Sequence, residues 1–225
     1  MTRGQQIRTV REELDLTTSE LAELLGMQRE RTLKHMESGD CECPISVLQR
    51  LHTLSNCSLE WLKHGKGKRY TPAFFLFEQA RQNLDFFTRF APQQVTVTLA
   101  DESFGLDFVI IENEYQYHTV FTNANLRFWG WVPEEYYMIP VIRQVLQRLT
   151  ATDDFLVYGQ VLPEQQRTAL VHGEIHPKTC IIRIPVRQGS WVTDMIRIDT
   201  EDNDYYEARY GAWFTKIQRF FRQYV

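Results

Sequence analysis

Between residues 28 and 35 the chain places Gln28, Arg29, Glu30, Arg31, Thr32, Lys34 and His35, a set of side chains suited to the edges and phosphates of a nucleic acid duplex. An Arg donates a bidentate pair to guanine O6 and N7, Gln does the same for adenine N6 and N7, and Lys or Thr fixes register on phosphate. These residues lie in the segment 14–39, LDLTTSELAELLGMQRERTLKHMESG, which reads as two short helices joined by a turn. Thr17 or Thr18 is the expected N-cap of the first helix, and Leu21, Ala22, Leu24 and Leu25 are its expected apolar face. Gly26 breaks it. The second helix carries Leu33 and Met36 inward and stops at Ser38-Gly39. The plain alternative is a small helical bundle whose charges are simply solvated.

The layout is that of a helix-turn-helix, and at these residues the chain resembles the Cro and phage-repressor (Xre-like) family of DNA-binding domains. The resemblance covers roughly the first 65 residues, with Gln5 to Leu14, Ile45 to Leu54 and Ser58 to Leu62 as the remaining helices of a five-helix bundle. It implies a double-stranded operator as partner, read by Thr18, Gln28, Arg29, Glu30, Arg31, Thr32, Lys34 and His35. Gly26 to Gly39 spans thirteen steps (39 minus 26), one more than the usual family spacing, so the turn is longer or the reading helix is shifted.

Net charge gives this reading little help. Residues 1–70 hold 11 Lys and Arg against 10 Asp and Glu, so duplex affinity requires a local cluster: Arg29, Arg31 and Lys34, with the run Lys63, Lys66, Lys68 and Arg69. A homodimer doubles that cluster. At 225 residues, 43% hydrophobic and 24% charged, the chain has room for two domains. No apolar run reaches the length of a membrane span and no signal-peptide core follows Met1, so a cytoplasmic protein without membrane contact is expected. Cys41, Cys43, Cys57 and Cys180 are too sparse for a disulfide scaffold, and the Cys41-Glu42-Cys43 spacing is not that of a zinc ribbon. The expectation is two exposed thiols in a loop, a buried Cys57 and no metal.

Domain boundaries are expected at 1–65, a linker at 66–72 and a second domain over 73–225. In that domain Phe74, Phe77, Ala80, Leu84, Phe87 and Ala91 step as a helix. Val95–Leu99, Leu106–Ile111 and Tyr115–Phe121 read as strands, and Ile139, Ile142, Val145, Leu146 and Leu149 as one helix face. Thr179–Arg187 and Ser190–Asp199 read as a hairpin, while Tyr206, Tyr210, Trp213, Ile217, Phe220 and Tyr224 step as a closing helix. The segment from Asp153 to His176 is ambiguous. An antiparallel sheet with flanking helices makes the class α+β: an all-α helix-turn-helix bundle followed by the sheet domain.

Over Phe121–Tyr137 and Cys180–Asp199 the order resembles a PAS sensor domain. The resemblance implies a pocket lined by Tyr117, Phe121, Phe128, Trp131, Ile142, Ile182 and Trp191, for which plain core is the competing reading. His118, His172 and His176 give haem no specific support, and no cofactor is expected. No catalytic residues are expected either: beyond residue 71 the lysines are Lys178 and Lys216 and the serines Ser103 and Ser190, in no arrangement of a self-cleaving pair. The expected function is a dimeric, sequence-specific transcriptional regulator, not an enzyme, controlled at its C-terminal domain by a small-molecule ligand or an antirepressor protein. The alternative is a phage-type repressor whose C-terminal domain only oligomerises.

Overall fold

Two threonines set the first two helices in the same way. In the computed structural model, which describes residues 1–76, 85–100, 106–122, 138–181, 191–197 and 203–223, Thr2 caps helix α1 (Arg3–Glu13) in a reciprocal box with Gln5. Thr17, not Thr18, caps α2 (Thr18–Leu24) in a box with Glu20. The helices α3 (Glu30–Ser38), α4 (Ile45–Ser55) and α5 (Leu59–His64) follow. Gly39 and Gly65 end α3 and α5 in the left-handed region, at φ 85° and 65°.

Ile7, Val10, Leu14, Leu21, Leu33, Leu51 and Leu62 are fully buried between these helices. Leu24 departs from its expected place on that face, being 42% exposed. At 3.6 residues per turn, Leu21, Ala22 and Leu25 fall within one arc and Leu24 outside it.

The chain divides into two compact units that are not the two consecutive stretches expected. The first joins Met1–Ala73 to Asn113–Thr119 and Gln165–Ile181. Residues 66–72, expected as a linker, are bound into it: the Ser58 amide donates to Arg69 O at 2.6 Å, Tyr70 pairs with Cys57, and the Tyr70 amide donates to Gly173 O at 3.0 Å. Gly173 has φ 66°, and a Cβ there would meet the Tyr70 carbonyl, so the approach requires glycine. Gln116 donates to Thr53 O at 2.8 Å, Asn56 to Tyr117 O at 3.4 Å, and the Lys178 ammonium to Leu14 O at the end of α1.

A buried polar cluster underlies these ties. Glu13 accepts from the Arg69 guanidinium and from the Tyr70 hydroxyl at 2.7 Å. His176 is fully buried, edge-on to the rings of Tyr70 and Tyr117 at 5.0 and 5.2 Å, and its Nδ1 accepts from the Lys178 amide at 3.2 Å. Burial, with the nearby Lys178 ammonium, pushes the His176 pKa down to about 3. Burial raises the Glu13 carboxyl despite its donors.

The second unit comprises Phe74–Glu112, Val120–Glu164 and Ile182–Val225. Strands β1 (Ala73–Phe75), β2 (Gln94–Ala100), β3 (Leu106–Ile111), β4 (Tyr117–Thr122) and β5 (Leu156–Leu162) form one sheet in the order β1-β4-β3-β2-β5. β2 pairs antiparallel with β3, from Gln94 opposite Ile111 to Leu99 opposite Leu106. It pairs parallel with β5, from Gln94 opposite Leu156 to Ala100 opposite Leu162. The sheet is therefore mixed, not antiparallel, and the fold is α+β with an N-terminal helical part. β2 and β3 are buried on both faces, as a covered central pair must be. β5 has Gly159 at its centre and buries only Gly159 and Leu162, so it shows no period-2 alternation; it and α8 (Glu164–His172), which falls mostly in the first unit, fill the ambiguous segment.

Other expected elements change here. The helical stripe from Phe74 becomes β1 and the short helix α6 (Asp85–Thr88), with residues 77–84 outside the described residues. Helix α7 (Met138–Ala151) buries Ile142, Val145, Leu146 and Leu149 as expected. The expected strand Ser190–Asp199 is instead helix α9 (Trp191–Ile196), because Trp191, Val192 and Met195 share a helical face. That face lies on β5 at Gly159, where a Cβ would come within 2.6 Å of both Trp191 Cε2 and Val192 Cγ2. Its expected partner, Thr179–Arg187, begins in the 3-10 turn Pro177–Thr179, is not strand at Cys180 and Ile181, and from residue 182 lies outside the described residues. Gly211, at φ 92°, splits the closing helix into α10 (Asn203–Tyr210) and α11 (Ala212–Gln223). Among the described residues no helix is long and apolar enough to cross a membrane.

The depressed His176 makes stability depend on pH. Above about pH 6.5 the imidazole is neutral in both folded and unfolded chains. Below that the unfolded chain binds a proton that the folded one refuses until pH falls to about 3, so folding weakens by up to about 1.4 kcal/mol per pH unit across this window. Glu13, with its raised pKa, binds its proton earlier when folded and opposes part of that loss in acid. Urea titrations from neutral pH to pH 4 are expected to show this slope in the native protein and a shallower one in His176→Phe.

Candidate nucleic-acid interface

The turn between α2 and α3 is held from outside itself. Arg50 on α4 donates from Nη1 to Leu25 O at 2.6 Å, satisfying a carbonyl at the end of α2. Gly26 turns the chain at φ 65°, and a Cβ there would approach Arg50 Nη1 to 2.9 Å. The amides of Gly26 and Met27 donate back to Glu23 O and Ala22 O, each at 2.8 Å. α3 does not begin until Glu30, so residues 25–29 lie between the two helices.

Arg29 is the N-cap of α3, with extended backbone and no side-chain capping bond, since a donor-only guanidinium cannot accept from the first-turn amides. Because Leu33 and Met36 turn inward, Arg29, Arg31, Thr32 and Lys34 are exposed, with Gln28 exposed just before them. Glu30 and His35 are half-buried. Among the described residues the side chains of Gln28, Arg29 and Thr32 have no hydrogen bond or ion pair, whereas Lys34 pairs with Glu30 at 2.7 Å. Thr18 is half-buried in the first turn of α2, beside the capping Thr17.

Arg31 belongs to a polar chain. Its Nε donates to His35 Nε2 at 3.1 Å, so the neutral imidazole carries its proton on Nδ1 and donates to Asp40 Oδ2 at 3.2 Å. The Ser38 hydroxyl donates to the same oxygen at 2.6 Å. These donors, Ser38 first and His35 second, hold the Asp40 carboxyl below its ordinary value. Arg31 is thus oriented by a neighbour, while Arg29 and Gln28 are free to meet a partner. The surface presents three cations against Glu30 and can engage an anion or a hydrogen-bonding edge.

The downstream basic run does not join this face as a set. Arg69 is committed to Glu13 and lies over the Trp61 ring at 4.9 Å, and Lys68 donates to Val171 O at 3.3 Å. Lys66 is exposed, and Lys63 lines a separate cleft.

Two supports escaped the sequence reading. Arg11 on α1 makes a two-pronged pair with Glu37 on α3, at 2.7 and 3.1 Å, and donates to Leu16 O at 2.9 Å. Arg50 is the other. Their signal in the sequence is slight: a single Arg on a helix otherwise read for its apolar face, and a Glu beside the Ser38-Gly39 stop.

The aromatic set expected to bind a ligand does not gather in one unit. Tyr117 is buried in the first unit against His176. Ile142 and Trp191 are buried in the second, and Phe121 is half-buried there on β4. Phe128, Trp131 and Ile182 lie outside the described residues. Cys41 is exposed, but Cys43, expected to be exposed, is buried among apolar neighbours, and its thiol is pushed up to about 11. Among the described residues no cluster of His, Cys, Asp or Glu could hold a metal.

Comparison with protein-family models, curated proteins and solved structures finds no match to this chain.

The Arg11–Glu37 pair is the main polar tie between α1 and α3, with side chains 13% and 9% exposed. Removing one partner leaves a nearly buried charge, so Arg11→Ala is expected to cost about 3 kcal/mol in denaturant unfolding. Exposed Arg29→Ala is expected to change stability by less than about 0.5 kcal/mol.

Proposed function

We propose that the chain is a sequence-specific, double-stranded DNA-binding regulator of transcription whose first unit reads its site through α3, in the manner of a helix-turn-helix of the Xre-like kind. The observation that carries this is the division of α3: Leu33 and Met36 are buried, while Gln28, Arg29 and Thr32, free of side-chain partners among the described residues, stand exposed with Arg31 and Lys34. In this reading Gln28 and Arg29 contact base edges at the start of α3, Arg31 follows in an orientation set by His35, and Lys34 and Thr18 meet phosphate. The near-neutral first segment makes such binding local and dependent on a dimer, because no broad basic field steers the protein to DNA.

For the second unit we favour an oligomerising role over ligand sensing. Its described interior is occupied by packed side chains: Phe75, Phe87 and Phe108 meet ring to ring at 5.0 to 5.9 Å, and Ile142, Val145 and Trp191 are buried. The parallel pairing of β2 with β5 also departs from the antiparallel sheet of a PAS-like arrangement. Control by a small molecule or an antirepressor protein remains the second reading.

The test is selection of bound duplexes from a random pool, followed by titration of the enriched site. A convergent sequence is expected, with Arg29→Ala costing about 1 to 3 kcal/mol and relaxing preference at one position. Lys34→Ala is expected to weaken all duplexes alike and lower the salt slope by about one. No enrichment, or a folded Arg29→Ala, Arg31→Ala, Lys34→Ala triple variant that binds as well as the parent, rejects the reading.

A further inference from the structure

The first unit carries a surface cleft of about 640 Å³ whose lining comes from the start of α1, the loop between α3 and α4, the start of α4 and the end of α5. Cys43, Pro44, Ile45 and Leu48 give it an apolar floor, and Arg3, Lys63 and His64 a basic rim, with Glu42 as the acid among its lining residues. Ile45 is 49% exposed on that floor. Lys63 has no ion pair among the described residues, and Arg3 donates to its carbonyl at 3.5 Å, joining two walls of the cleft.

The same unit bears a patch of opposite character. On α2, Leu24 is 42% exposed and stands beside exposed Glu23 and Glu20. Glu20 spends its carboxylate on Thr17, whereas Glu23 has no ion pair among the described residues. An exposed leucine with an unspent carboxylate thus matches an exposed isoleucine with an unspent ammonium.

We propose that the cleft receives α2 of a second copy of this chain, with Leu24 on Pro44 and Ile45 and Glu23 facing Lys63 and Arg3. Other occupants fit less well. Nucleic acid phosphate would neutralise the rim but leave the apolar floor without a partner. A small molecule would be poorly enclosed, because Arg3, Glu42, Pro44, Ile45 and His64 are all exposed. Each copy presents both patches at different places, and with one cleft filled at each contact the association is head-to-tail and adds further copies instead of closing at two. It is small, and therefore weak and reversible. The contact is independent of whether α3 reads DNA.

Sedimentation and light scattering of the full chain over a concentration series test it. The mass is expected to keep rising with concentration beyond any basal oligomer. Leu24→Ser, Glu23→Lys and Lys63→Glu should each lower the association constant of that further step about tenfold, through lost apolar contact or reversed charge. Combining Glu23→Lys with Lys63→Glu should restore it to within about threefold of the parent. All three positions are at the surface, and unchanged circular dichroism melting would verify the fold of each variant. A mass that plateaus at the basal oligomer, single variants that associate like the parent, or a double reversal that fails to recover overturns the proposal. In the last case the cleft belongs to some other patch or protein.

Discussion

A carboxylate taken out of water has to be answered by donors, and Glu13 is where this protein meets that demand. Its partners come from separated parts of the chain: Arg69 and Tyr70 follow the fifth helix, and His176, whose backbone amide also reaches Glu13, lies far downstream. Each partner was itself costly to bury and is secured in turn, Arg69 over Trp61 and His176 by the Lys178 amide. Because the last residue of α1 is the focus, the position of that helix, and through Arg11 and Glu37 that of α3, is inherited from this cluster.

What was legible in the sequence were local features with a strong physical grammar. Thr17, one of the two expected caps, Gly26, and Gly39 after Ser38 act over three or four residues, and the helices they bound fall where those residues place them. The alternation that marks a half-covered sheet served for β2 and β3 only because their β-branched residues are dense; both strands are buried on each face. β5 has Gly159 at its centre, which reads as a weak strand until Trp191 is placed against it. Trp191, Val192, Thr193 and Ile196 are strand-forming residue types, yet the packing of this stretch onto that glycine goes with a helix.

The candidate interface shows the same division. Which residues of α3 face outward followed from Leu33 and Met36 alone. Which of them are free did not, because that depends on Arg31 meeting His35 and on Lys34 meeting Glu30, and on Arg69 being claimed by a glutamate 56 residues earlier. Long-range polar partners leave no periodic trace. For the same reason the linker reading of residues 66–72 gave no hint of Tyr70, whose hydroxyl and amide are both committed to distant groups.

Gly173 carries a consequence for the order of events in the cell. The backbone of Tyr70 closes onto that glycine, and the amide of Tyr70 donates to its carbonyl. Helices α1 to α5 are translated early, but the residues that seal Glu13 and hold Tyr70 emerge only with the segment ending at Ile181. During synthesis a nascent chain that already contains all of α3 therefore has a carboxylate without its full complement of donors and a core edge without its cover. Completion of the first unit must wait on the ribosome until Ile181 has emerged, by which point most of the second unit has been translated.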